Sequence, residues 1–146
     1  AEAREAMIAA LDVVGNPSSV HGEGRRAKAI VEKARGEIAS AFGADGADVI
    51  FTSGATEAAA LALRGRDLHA GDIEHDAVAA WVTSDLPVDA QGRVIVGDPA
   101  RCALQLANSE TGVVQDLPAG LAVSDMTQGF GKLALAFNWV AERALP

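Results

Sequence analysis

The sequence predicts an α/β domain with a mostly parallel sheet and flanking helices, and three observations predict it. Apolar residues between His21 and Phe42 recur at helical spacing. Short apolar runs at Asp48-Val49-Ile50, Cys102 to Ala107 and Leu121-Ala122-Val123 read as strands. Each of these runs ends in a polar turn, and in an open α/β sheet the carboxyl ends of the strands form the ligand crevice. The expectation is one pocket lined by Thr52 to Thr56, Asn108 to Gly112 and Asp125 to Gln128.

A chain of 146 residues supports one domain with its own core, 1–146. In order, Ala3, Met7, Ile8 and Leu11 suggest a short helix, which Gly15-Asn16-Pro17-Ser18-Ser19 breaks. In the long amphipathic helix that follows, Ala27, Ile30, Val31, Ala34, Ile38, Ala41 and Phe42 share a face, and Gly43 closes it as a C′ residue. After the strand at Asp48-Val49-Ile50 and a turn, Ala58 to Leu63 begins a second helix. Gly65 to Gly71 reads as a polar connection, and Asp72 to Val78 as a strand end running into a helix through Trp81. Leu86 to Val94 alternates around a glycine turn, with Pro87 demoting it to an edge. From Gln115 to Asp125 the sequence is too short for a crossover helix plus a strand, so the sheet is expected to depart from a regular crossover there.

Hydrophobic residues make up 49% of the chain, with no tyrosine, so the core must be built from small side chains that each bury little area. A net charge of −8 argues against a nucleic-acid or anionic-membrane partner, which clustered cations attract. Arg25, Arg26, Lys28, Lys33 and Arg35 alternate with acids, as on a solvated helix face. The lone cysteine, Cys102, sits in an apolar run and reads as core packing before nucleophile. One cysteine allows no internal disulfide, and no apolar run approaches the roughly twenty residues that span a bilayer. A reducing, cytoplasmic location is the expectation.

The turn Phe51-Thr52-Ser53-Gly54-Ala55-Thr56-Glu57-Ala58 joins a strand to a helix. Gly54 permits a tight turn, Ser53 and Thr56 can cap, and the first-turn N–H groups can hold an anion such as phosphate. An ordinary capped helix has the same composition.

Together with GNPSSVH at Gly15 to His21, the Ala34-Arg35 pair, EHDAV at Glu74 to Val78, ANSETGVVQ at Ala107 to Gln115 and SDMTQGFGKL at Ser124 to Leu133, this turn resembles the cysteine desulfurases. These are fold-type I, pyridoxal-phosphate-dependent enzymes of the class V aminotransferase group, and the segments occur in the family's order. The resemblance implies part of the large domain of a pyridoxal-phosphate-dependent transferase. It implies that Ala55 and Thr56 hold the cofactor phosphate, that His75 stacks on the pyridine ring and joins in proton transfers, that Asp125 pairs with the ring nitrogen and that Gln128 hydrogen-bonds the phenolic oxygen. Asn108 is the cofactor-side residue of its turn, although the family's Asn-Asn-Glu pattern leaves open which of Asn108, Ser109 and Glu110 serves.

The parent reaction implied by the resemblance takes sulfur from L-cysteine, giving alanine and an enzyme persulfide. The family pattern continues to a Ser-x-His-Lys turn and a mobile cysteine, neither of which is present here, and Lys132 corresponds to neither. The chain alone is therefore expected to be inactive. The alternatives are a dimerisation or partner module of iron–sulfur assembly, a half that needs a second polypeptide, and an unrelated phosphate-binding enzyme. A homodimer or a sulfur-acceptor protein is the expected partner.

Overall fold

The computed structural model describes residues 2–133, which divide into two compact units, 2–50 and 51–133. In the first unit, α1 (Glu2–Leu11) buries none of its residues, and Met7, Ile8 and Leu11 stand exposed. The amphipathic pattern forms α2 (Gly22–Ala41), with Ala27 and Ala39 buried and Val31, Ala34 and Ile38 half-buried along one stripe. Its end is a Schellman motif: Ala44 N–H donates to the Ala39 carbonyl and Gly43 N–H to Ser40, each at 2.9 Å, while Gly43 takes φ 63°. The expected glycine stop is thus the observed one.

The Gly15 to Ser19 loop packs on the first turn of α2. Asn16 organises it, its side-chain oxygen accepting the Ser18 N–H at 2.9 Å and its carbonyl the Ser19 N–H at 2.9 Å. A side chain at Gly24 would lie 2.6 Å from the carbonyls of Asn16 and Ser19, so only glycine admits this approach. The strand expected at Asp48-Val49-Ile50 does not form: 47–50 are irregular and Ile50 is exposed. An apolar run becomes a strand only where a neighbouring strand takes up its backbone hydrogen bonds, and none among the described residues does so.

The second unit begins with α3 (Ala55–Leu63), followed by β1 (His69–Gly71), the short α4 (Asp76–Ala79) and β2 (Thr83–Leu86). A 3-10 turn, Pro99–Arg101, precedes β3 (Ala103–Gln105), and β4 (Val123–Asp125) completes the set. Both pairings are parallel, β1 with β2 (His69 opposite Thr83) and β3 with β4 (Gln105 opposite Asp125). A parallel bridge between His69 and Cys102 joins the two pairs. The sheet is therefore parallel, as the sequence predicts, with helices of this unit packed on it.

Two strands were not expected. The supposed polar connection of Gly65 to Gly71 carries β1, with Leu68 and Ala70 buried, and Thr83–Leu86 forms the largely exposed β2. Neither segment has the β-branched alternation that marks a strand, and both are made strands by their partners. The Leu86 to Val94 turn is present, as an antiparallel bridge between Val88 and Val94 around Gly92 at φ 78°. The short interval before Asp125 is solved without a helix: an antiparallel bridge between Ala107 and Val114 folds the chain back, and a turn at Ala119-Gly120 leads it into β4.

Because β3 is buried on both faces, its alternate residues serve two clusters. Leu63, Leu68, Val78 and Ala103 form one beneath α3 and α4, while Cys102, Leu104 and Leu121 form the other. Cys102 is core, as expected: its thiol donates to the Asp98 carbonyl at 3.1 Å, and burial first, then the charge of Asp98, pushes its pKa up.

Two of the helix glycines of the first unit should respond oppositely to alanine. At Gly36 an added methyl meets nothing within 4 Å, so Gly36→Ala should stabilise by about 0.5–1 kcal/mol. Gly24→Ala should cost about 1–3 kcal/mol through overpacking. Thermal unfolding decides; a Gly24→Ala protein as stable as the parent would refute the loop packing.

Candidate cofactor site

The best-built part of the site is the segment between β1 and α4. His75 is the N-cap of α4, and its Nδ1 accepts the Ala77 N–H at 3.1 Å. A neutral imidazole in this bond carries its proton on Nε2. Just before it, Ile73 presents its carbonyl to two side chains from the β3 region, Gln105 Nε2 at 2.7 Å and Asn108 Nδ2 at 3.0 Å. Between them lies Glu74, 8% exposed, whose Oε1 accepts the Gln105 backbone N–H at 2.9 Å and whose buried Oε2 has no hydrogen-bond partner.

Asn108 uses its other end equally fully. Its Oδ1 accepts the N–H groups of Glu110 and Thr111, each at 2.8 Å, which shapes the turn after β3. Ser109 and Glu110 are exposed. Of these three residues Asn108 is the buried one.

A cavity of about 220 Å³ is lined by Ile73, Glu74, His75, Asp76, Asn108, Ser109 and Glu110. It brings together His75 and Asn108; Ala55, Thr56, Asp125 and Gln128 are not among its lining residues. Ala55 and Thr56 lie exposed at the start of α3. Neither Ser53 nor Thr56 caps that helix with its hydroxyl; the Glu57 carboxylate reaches back to accept both the Ser53 N–H and its hydroxyl, at 2.6 Å each. The hydroxyl bond first, then the amide bond, lowers the pKa of Glu57.

Asp125 ends β4, and its Oδ1 accepts the N–H of Thr127 at 2.8 Å and the Thr127 hydroxyl at 2.5 Å. Gln128 is exposed and its Oε1 accepts from Lys132 Nζ at 2.6 Å. Among the described residues no cluster of His, Cys, Asp and Glu could hold a metal ion, and no helix is long and apolar enough to cross a membrane.

The sequence reading missed Glu74 and Gln105. Gln105 had a legible signal, a polar residue amid the apolar Cys102 to Ala107 run. Glu74 had none beyond its place before His75. Its carboxyl is raised from 4.5 to about 7, chiefly by burial and further by the charge of Asp125, against the lowering effect of the Gln105 N–H.

A model of the family Aminotransferase class-V matches residues 4–83, more than half of the chain. The chain belongs to this family. It is 34% identical to a cysteine desulfurase of Frankia sp. over 84% of its length, and 34% identical to cysteine desulfurase IscS 1 of Archaeoglobus fulgidus over 70%. It spans only 40% and 34% of those two proteins. The Frankia alignment runs over 167 positions, longer than the whole 146-residue chain, so that relative carries internal residues with no counterpart here. The X-ray structure of a NifS-like protein from Rickettsia africae superposes with a TM-score of 0.77 at 28% identity, covering 90% of this chain and 46% of that one. The fold is accordingly part of the NifS-like transferase fold.

Enzymes of this family in general depend on pyridoxal phosphate. The residues here fit that group. A cavity flanked by an imidazole and a buried amide suits an aromatic ring bearing polar substituents, and the open first turn of α3 suits a phosphate.

Two outcomes follow. Asn108→Ala strands the Glu110 and Thr111 amides and removes one of the two donors to the Ile73 carbonyl, and should cost about 1–3 kcal/mol, whereas Ser109→Ala should stay within about 0.5 kcal/mol; chemical denaturation reads both. Glu74 binds its proton more tightly when folded, so its stabilisation is full below pH 4.5 and is lost as pH rises to about 7. That loss is on the order of 3 kcal/mol, and Glu74→Gln should flatten this part of the stability–pH curve. Parallel curves for the two proteins would refute it.

Proposed function

We propose that this chain supplies the cofactor-binding part of a pyridoxal-phosphate-dependent cysteine desulfurase, with L-cysteine or a closely similar amino acid as substrate. The observation that carries the reading is the shared cavity of His75 and Asn108, in a chain of the class-V family whose relatives include cysteine desulfurases. The bound cofactor supplies an electron sink for bonds at the amino acid's α-carbon. This chain's residues do the holding. The N–H groups of Ala55 and Thr56, with the Thr56 hydroxyl, bind the phosphate at the α3 N-terminus.

His75, anchored through Nδ1, offers its ring face for stacking and its Nε2 for moving a proton. Asp125 would keep the ring nitrogen of the cofactor protonated, and Asn108 would lie at the ring edge. Gln128 reaches the ring only by exchanging its bond to Lys132. The Ser-x-His-Lys turn and mobile cysteine of the family pattern are not among these 146 residues.

A second reading is a partner-binding module of iron–sulfur assembly. The exposed Met7, Ile8 and Leu11 of α1 favour it, because a helix with no buried residue has an apolar face left to cover.

Titration of the purified chain with pyridoxal phosphate, followed by visible absorbance, separates these readings. Saturable binding weakened at least about tenfold, or ~1.4 kcal/mol, by Thr56→Ala and by Asp125→Asn supports the cofactor role. Binding indifferent to both substitutions, or none at all, would sink it and move the module reading forward.

A further inference from the structure

Glu74 makes none of the cofactor contacts assigned above, yet it sits where the elements of the site converge. Its Oε1 holds the Gln105 backbone N–H, and Gln105 is the register partner of Asp125. The two carboxyl groups are close enough for the charge of Asp125 to act on Glu74. Their surroundings differ. Asp125 is half-buried and receives two donors from Thr127, whereas Glu74 receives one donor and has an oxygen closed off from solvent with no partner. A buried carboxyl in this position avoids the cost of an unpaired charge by keeping its proton. Where two acids share a site, the one with the better-solvated, better-bonded carboxylate keeps the charge.

We propose that Glu74 is a positioning residue that works as the neutral acid, tying the Ile73–Asp76 segment to β3 so that His75 and Asn108 face one cavity while the negative charge stays on Asp125. The titratable groups around it are consistent with this. Asp72 precedes it and His75 and Asp76 follow it on its own segment, Glu110 comes from the turn after β3 and Asp125 from the end of β4. Among the described residues, the cavity lining includes no lysine or arginine to neutralise a second buried carboxylate. Ionising Glu74 sets two like charges against each other across Gln105 and loosens the segment that carries His75. The link to cofactor binding rests on the functional reading above; the link between Glu74 and His75 does not.

The test is a carbon-13 carboxyl titration of the cofactor-free chain by NMR, with the His75 ring signals followed in the same samples. The Glu74 signal, assigned by its loss in Glu74→Gln, should titrate at about pH 7. In Asp125→Asn, which leaves Glu74 itself untouched, that midpoint should fall. The His75 signals should shift with the Glu74 midpoint in the parent and lose that component in Glu74→Gln. Pyridoxal phosphate should bind the parent more weakly above that midpoint, while Glu74→Gln binds equally on both sides of it. A Glu74 carboxyl titrating near the ordinary value of about 4.3 would overturn the proposal. So would a midpoint indifferent to Asp125→Asn, or a His75 ring blind to it. If Glu74 and His75 titrate together but the parent binds no pyridoxal phosphate at any pH, the functional reading fails and the positioning role stands.

Discussion

One hydrogen bond holds the site to the sheet: the backbone N–H of Gln105, in the middle of the second unit, donated to the carboxyl of Glu74. Around it the Gln105 and Asn108 amides both close on the Ile73 carbonyl, so three donors from the β3 region fix one short stretch of chain. The position of His75 follows, because it is the next residue and caps the helix that the same stretch leads into. The shape of the Asn108 turn also follows, since that side chain spends its amino group on Ile73 and its oxygen on its own turn. An apolar contact in place of this knot would hold the segment but leave its rotation free. Hydrogen bonds with fixed directions set which way the imidazole faces.

The composition explains why polar groups carry so much of this work. Alanines and a few leucines make a core in which each side chain buries little area. Buried, hydrogen-bonded amides such as those of Gln105, Asn108 and Gln115 then add specificity that small apolar contacts cannot. Gln115 repeats the device, its side chain bonding Gly92 at 2.8 Å and Val94 at 3.0 Å and so tying the Val88–Val94 turn to the return path toward β4. Glu74 departs from the pattern with its unpartnered oxygen, and a departure of this kind is where a functional constraint is expected.

Elements governed by local rules were legible in the sequence. The α2 stripe, its Gly43 stop, the buried β3 run and the turn around Gly92 all rest on periodicity or on a glycine with positive φ, and all appear where expected. The motif segments likewise gave the family. What could not be read depends on partners. His69–Gly71 and Thr83–Leu86 become strands only by pairing, and Asp48-Val49-Ile50 fails to become one for lack of it. At the site, His75 and Asn108 were visible because their residue types and contexts are distinctive. Glu74 was not, since nothing local tells a surface acid before a helix from one that β3 closes over. Thr56 and Gln128 are not among the residues lining the cavity that His75 and Asn108 share.

The knot around Ile73 also bears on the order of folding. Its bonds connect residues 31, 32 and 35 positions apart, so each requires a long loop to close before it returns any stabilisation. In the first unit the Schellman end of α2 and the Asn16 turn draw on neighbours a few residues away and can form as soon as those residues exist. The segment bearing His75 is thus among the later parts of the molecule to acquire its shape, and during synthesis it waits for the β3 region to emerge.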